Sequence, residues 1–177
     1  KLDVMVNNAG WTHRNQPALD VSEDDFDKCY AINVKSIYLA TIHATPVFRS
    51  QGGGSFINIA STAAFQPGPW MAVYYATKSY VLSFTEALHE EVAGTGVHVT
   101  ALCPGPTATE FFEVAGYGGK SGLAKLAMAS APVVAFGLAA IGRNQAVAIP
   151  GAVNRFGAQG HRFLPRSVLR KLAKFVK

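Results

Sequence analysis

Two cysteines in 177 residues are too few for a disulfide framework, and Cys29 and Cys103 show no metal-ligand spacing with the five histidines. No metal site is expected, and a reducing cytoplasm is the compartment that fits. Charge is scarce, at 15% of residues against 49% hydrophobic, which excludes a disordered chain and leaves apolar side chain enough for one full core. Repeats and low-complexity tracts are missing too. No basic-then-apolar leader opens the sequence, because Lys1 runs straight into Leu2-Asp3-Val4-Met5-Val6, so secretion is not expected. Acid is absent from residues 114–177, which carry ten Lys and Arg, whereas residues 1–113 hold all 11 acids and six bases. A charge-free stretch, Leu126 to Gly142, falls short of a bilayer span at 17 residues. Its alanine content and the Ser130, Pro132 start read as a buried helix.

What is present alternates. Short apolar runs at Leu2 to Asn7, Phe56 to Ala60, Val97 to Cys103 and Ala146 to Ile149 read as strands, separated by longer helical stretches. That pattern predicts an α/β sandwich around a mostly parallel sheet. Ser22-Glu23-Asp24-Asp25 reads as a helix-starting capping box, after which Phe26, Tyr30, Asn33 and Ile37 fall on one helical stripe. Asn33 interrupts that apolar face. A second helix is predicted from Val73 to Ala93, stopped by Gly94, with Gly96 leading into the third strand. Beyond Gly105 the chain is loop-rich through Gly116 to Gly119, then gives two short apolar helices, the last strand and a basic tail.

Tyr74 and Lys78 stand one turn apart on the second helix. An ammonium fixed beside a phenol favours the phenolate, which suits a group that gives and takes a proton near neutral pH; the same spacing also arises from an aromatic and its solvated neighbour. Ser61 follows the second strand, at the carboxyl end where parallel sheets place their sites, and either polarises a carbonyl or bonds local backbone. Asn33 is open to the same two readings, a functional amide or one that satisfies backbone in a kinked helix. Gly52-Gly53-Gly54 precedes a strand and reads as a helix-to-strand turn, and Gly119-Lys120-Ser121 lacks the earlier glycine of a phosphate loop, which is Val114 here.

Asn7-Asn8-Ala9-Gly10 after the first strand, then Asn33, Ser61, Tyr74-x-x-x-Lys78 and Pro104-Gly105-x-x-x-Thr109, keep the order and spacing of the classical short-chain dehydrogenase/reductases. The sequence resembles that family from residue 1 to about residue 115. The resemblance implies a Rossmann-like three-layer α/β sandwich, here the C-terminal part of a doubly wound parallel sheet with the first three strands absent. It implies an NAD(P)-dependent oxidoreductase, with NAD or NADP as cofactor, that interconverts a carbonyl and an alcohol. Tyr74 would be the general acid/base, Ser61 would bond the substrate oxygen, Lys78 would bind the nicotinamide ribose and favour the Tyr74 phenolate, and Asn33 would hold a relay water. Asn8 and Gly10 would line the cofactor cleft, the backbone from Gly105 to Thr107 would meet the carboxamide, and Thr109 would lie near the pyrophosphate. Family members open with a strand, a Gly-rich turn and a helix that this sequence does not contain. At roughly 30 residues per βαβ unit, on the order of 80 residues are expected to be missing. The choice between NAD and NADP rests on that segment, and Leu2 to Asn7 becomes a sheet edge with two apolar faces.

Phe65, Trp70, Met71, Phe111, Phe112 and Tyr117 follow motif positions that open toward the substrate cleft of such enzymes, which suggests an apolar or aromatic carbonyl or alcohol. The expected division is a partial dehydrogenase domain over residues 1–163 and a basic amphipathic helix over residues 164–177. That helix sets Val168, Leu169, Leu172, Phe175 and Val176 against Arg166, Arg170, Lys171, Lys174 and Lys177. It is expected to dock on the domain or a partner subunit of a homo-oligomer, or to touch an anionic membrane surface peripherally. Nucleic acid is not expected, since no recognition module accompanies the charge. The competing reading is a non-catalytic interaction protein derived from the same family.

Overall fold

The computed structural model describes residues 1–116 and 126–173. Strands β1 (Val4–Asn7), β2 (Gly54–Ile59), β3 (Val97–Leu102) and β4 (Val147–Ala148) form one parallel sheet in the order β1-β2-β3-β4. A continuous helical rod joins β1 to β2. It comprises α1 (Glu23–Tyr30), a π-helical turn at Ala31–Lys35, and α2 (Ser36–Ser50). Helix α3 (Ala72–Glu91) joins β2 to β3, α4 (Phe111–Val114) and α5 (Ser130–Gly142) lie between β3 and β4, and α6 (Ala152–Gln159) and α7 (Arg166–Ala173) follow.

Side chains alternate across the strands and so divide the core into two layers. Phe56 and Val99 point to one side, where they meet Ala44 and Phe48 of α2 and Leu88 of α3. Ile57 and Leu102 point to the other, against Val133, Ala140 and Ile141 of α5. The charge-free stretch therefore contributes a helix that buries one side and leaves Val134 and Leu138 exposed. Among the described residues no helix is long and apolar enough to cross a membrane.

Glycine permits the helix-to-strand turns. Gly53 and Gly96 both have positive φ, and a Cβ on Gly53 would stand 2.6 Å from the Gly96 carbonyl oxygen, so the two turns approach more closely than any side chain allows. Ser22 caps α1 by accepting from the Asp25 amide at 3.1 Å, as the capping box predicts.

Three local features depart from the sequence pattern. Phe26 and Tyr30 do not share a buried face with Asn33 and Ile37. They stack on each other at 5.6 Å on the exposed side, while Asn33 and Ile37 are buried with Cys29. The π turn between the two pairs inserts about one residue and rotates the stripe. Val6 shares the Ile57 face of the sheet but is 52% exposed, because α5 covers β2, β3 and β4 and stops short of β1. Finally, α6 intervenes between β4 and the tail, and one apolar helix, α5, stands before β4 among the described residues. Tyr117, Gly119-Lys120-Ser121 and residues 174–177 lie outside the described residues.

Candidate active site

The carboxyl ends of β1, β2 and β3 open into a cleft of about 840 Å³. Backbone bonds carry the pairing of β2 and β3 past the strand ends: Ala60 donates to Leu102 O at 2.8 Å and Thr62 to Pro104 O at 2.9 Å. Ser61 thereby sits at the rim, where its Oγ accepts from the Ala63 amide at 3.1 Å and starts a short 3-10 turn. Its own O–H remains a donor toward the cleft.

Helix α3 brings Tyr74 and Lys78 to the same cleft. Lys78 Nζ stands 5.7 Å from the centroid of the Tyr74 ring and donates to Ile59 O at 2.7 Å. Lys78 is 4% exposed, and burial lowers its pKa from 10.5 to about 8. The two thiols that face it, Cys29 and Cys103, are themselves pushed up by burial, Cys103 to about 12, so neither supplies a counter-charge at neutral pH. Tyr75, the neighbouring phenol, is also raised by burial and lies flat on Gly68, where a Cβ would come within 2.3 Å of its ring. Of the two tyrosines, Tyr74 is the one with the ammonium over its ring.

Asn33 stands behind the cleft wall and is fully buried. Its amide links three segments. Oδ1 accepts from Trp11 N at 2.8 Å, and Nδ2 donates to Trp11 O at 2.8 Å and to Thr77 Oγ1 at 3.0 Å, with Cys29 Sγ at 3.3 Å. These bonds occupy both side-chain N–H groups, so any water that Asn33 holds would be bound by a carbonyl oxygen rather than by the amide donors.

Asn8 and Gly10 line the β1 side of the cleft, and Gly105, Thr107 and Thr109 line the β3 side. The β3 loop is pinned from afar: Thr107 bridges Met128, Met128 N donates to Pro106 O at 2.9 Å, and Ala108 N donates to Met128 O at 2.8 Å. Asn154 of α6 packs on Gly105 so closely that a Cβ there would lie 2.2 Å from Asn154 Oδ1. Sequence reasoning missed Thr77, Met128 and Asn154. Thr77 carried one signal, a short polar residue facing inward mid-helix. The other two act across long separations that no local pattern records.

A family model for short chain dehydrogenases matches residues 1–116. The chain belongs to the short-chain dehydrogenase family. It is 45% identical over 103 residues to the 4-formylbenzenesulfonate dehydrogenase TsaC1/TsaC2 of Comamonas testosteroni, covering 58% of this chain and 41% of that protein. Its fold matches a 3-ketoacyl-(acyl-carrier-protein) reductase from Brucella melitensis solved with NADH, at 29% identity and TM-score 0.76, over 84% of this chain and 65% of the other. It also matches a short chain dehydrogenase from Burkholderia cenocepacia J2315 solved with NADP, at 27% identity and TM-score 0.81, over 97% and 70%. The chain spans less than half the length of the curated relatives it matches. The fold is the Rossmann-like α/β architecture of this family, with helices on both faces of a parallel sheet.

Proposed function

We propose that this protein is an NAD(P)-dependent oxidoreductase that interconverts a carbonyl and an alcohol, with Tyr74 as general acid/base. The observation that carries the reading is the convergence of the Tyr74 phenol, the Ser61 hydroxyl and the Lys78 ammonium on one cleft at the carboxyl ends of parallel strands. Three groups that each have an ordinary structural explanation gain a common purpose by facing one space.

The cleft suits the nicotinamide and its ribose. Gly10 leaves its floor open, since a Cβ there would stand 3.7 Å from Lys78 Nζ and 3.9 Å from Asn33 Oδ1. Hydroxyl, amide and ammonium groups from Asn8, Ser61, Lys78, Thr107 and Thr109 surround it with partners for ribose hydroxyls and a carboxamide. When bound, the nicotinamide supplies or accepts the hydride. Ser61 donates to the substrate oxygen and holds it beside Tyr74. Tyr74 gives that oxygen a proton in reduction and takes it in oxidation. Lys78 carries the positive charge that favours the phenolate and offers its remaining N–H groups to the ribose. Asn33 holds the loop at Trp11 against α3 and so fixes the two walls between which these groups work.

Trp11, Met71, Tyr75 and Phe111 face the cleft around Tyr74, whose ring lies 5.2 Å from that of Phe111. This lining supports an apolar or aromatic substrate, and the relative named for an aromatic aldehyde agrees with it. We read the 177 residues as part of a longer polypeptide, supported by the 41–43% coverage of relatives and by the open edge of β1 with Val4 and Val6 exposed. We assign residues 1–163 to the dehydrogenase domain and residues 164–177 to a separate basic helix, in a homo-oligomer of the cytoplasm, where the buried thiols of Cys29 and Cys103 stay reduced. Fluorescence and thermal-shift titration with NADH and NADPH tests the reading. A saturable response is expected from the polypeptide extended through its upstream reading frame, and none at millimolar cofactor would overturn it.

A further inference from the structure

Helix α3 is stapled to the rest of the fold by two threonines of the same design. Thr77 Oγ1 donates to the Tyr74 carbonyl at 2.7 Å and accepts from Asn33 Nδ2 at 3.0 Å. Thr85 Oγ1 donates to the Val81 carbonyl at 2.6 Å and accepts from Asn58 Nδ2 at 3.0 Å. Both are fully buried. A buried mid-helix threonine that bonds back to its own helix is ordinary, as Thr41 does to Ile37 O. Accepting a side-chain amide from another element as well makes the hydroxyl a tie between two elements.

The two ties differ in what they hold. Thr85, two turns along α3 from Lys78, joins the helix to Asn58, the penultimate residue of β2. Thr77 joins the turn that bears Tyr74 and Lys78 to Asn33, whose amide in turn grips both backbone groups of Trp11. Trp11 and Tyr74 both line the cleft, so the path from Trp11 through Asn33 and Thr77 to Tyr74 sets the spacing of its walls. Resting on the oxidoreductase reading above, we propose that Thr77 is a positioning residue of the reaction, its one hydroxyl holding the Tyr74–Lys78 turn in register with the loop at Trp11 that forms the facing wall of the cleft.

Removing the hydroxyl leaves the second Asn33 N–H with only the Cys29 sulfur, a weak acceptor. The Tyr74 carbonyl also loses its extra donor. The turn is then free to move off Asn33, and water reaches Lys78, which is now shielded on a carbonyl and two neutral thiols.

The test follows the Lys78 ammonium by NMR in protein labelled with carbon-13 at lysine Cε, without cofactor or substrate, the signal being assigned by its loss in Lys78→Arg. In Thr77→Val the titration midpoint is expected to rise by about half a pH unit or more, toward that of a solvated lysine. Thr77→Ser restores it. Thr85→Val, which deletes the same pair of bonds elsewhere on α3, lowers stability comparably and leaves the midpoint in place. Thr77→Ala removes the hydroxyl without adding a methyl branch and is read the same way should the valine variant not fold. Equal midpoints in the Thr77→Val and Thr85→Val proteins, or failure of Thr77→Ser to restore the wild-type value, would overturn the proposal. No turnover enters this measurement, so a chain inert toward every carbonyl would break the oxidoreductase reading without producing either of those results.

Discussion

Replacing Lys78 with methionine is expected to stabilise the protein. Lys78 is 4% exposed, and its ammonium rests on the Ile59 carbonyl at 2.7 Å and faces thiols that stay protonated at neutral pH. A fall of its pKa from 10.5 to about 8 corresponds to about 3 kcal/mol of destabilisation while the group is charged in both folded and unfolded states. Methionine keeps most of the stem and removes the charge, leaving the Ile59 carbonyl short of one donor at a loss of about 1 kcal/mol. The net gain at pH 7 is about 2 kcal/mol, or roughly 4–8 °C in Tm for a chain of this size. The pH dependence has a defined sign. Between pH 8 and 10.5 the folded wild type releases its proton while the unfolded chain still holds it, so stability rises with pH, by roughly 1 kcal/mol from pH 7 to 9. From about pH 8 upward the raised thiols of Cys29 and Cys103 act in the opposite direction, because they ionise in the unfolded chain first, an effect common to wild type and the methionine variant. Urea denaturation of wild type and Lys78→Met at pH 7 and 9 measures both quantities. A variant less stable than wild type at pH 7, or one with the same increment between pH 7 and 9, would refute the account of a buried, uncompensated ammonium. The stability gained would come with loss of the group assigned to the ribose, the usual conflict between a stable site and a working one.

Four further outcomes are expected. Under the proposed oxidoreductase reading, Tyr74→Phe in the polypeptide extended through its upstream reading frame lowers kcat by about 10²–10⁴ while NADH affinity in a fluorescence titration is unchanged; equal turnover would remove Tyr74 from the chemistry. Gly105→Ala drives a Cβ into Asn154 and destabilises by about 1–3 kcal/mol in a denaturant titration, with Asn154→Ala in the same chain recovering part of the loss. Ser22→Ala removes the α1 cap and lowers stability by about 1 kcal/mol, leaving the Lys78 titration alone. Deleting residues 164–177 lowers Tm, because Leu169 and Arg166 share a cavity of about 390 Å³ with Phe65 and Leu82; unchanged Tm together with lost co-sedimentation on anionic vesicles would favour the membrane as the partner of that helix.

The strands were legible because β2 and β3 are largely buried and rich in β-branched and aromatic residues, with only single polar residues between them, and because glycine turns bound them. Tyr74 and Lys78 were legible because helical spacing alone puts them on one face. Ser61 was legible from its place after a strand. Less could be read where geometry depends on contacts far along the chain. Nothing in Ala31-Ile32-Asn33-Val34-Lys35 marks a π turn, so the stripe through Phe26 and Tyr30 looked continuous with that of Asn33. The bonds from Asn33 to Trp11 and Thr77 and from Met128 to Pro106, and the packing of Asn154 on Gly105, join residues 22 to 49 positions apart. Val6 has the side chain of a core strand, and its exposure follows from where α5 ends.

The wide turn at Ala31–Lys35 makes the length of this segment as consequential as its composition. An ordinary helical path through all of Ala31 to Lys35 would swing α1 by about 100° relative to α2 and turn Phe26 and Tyr30 inward onto the Asn33 face. Deleting one residue there, Ala31 for instance, would instead take out the extra residue and leave Cys29 and Ile37 on the same face as Asn33. A shortening that would turn a plain helix out of register is here absorbed in place, whereas straightening the turn at constant length would disassemble one wall of the cleft.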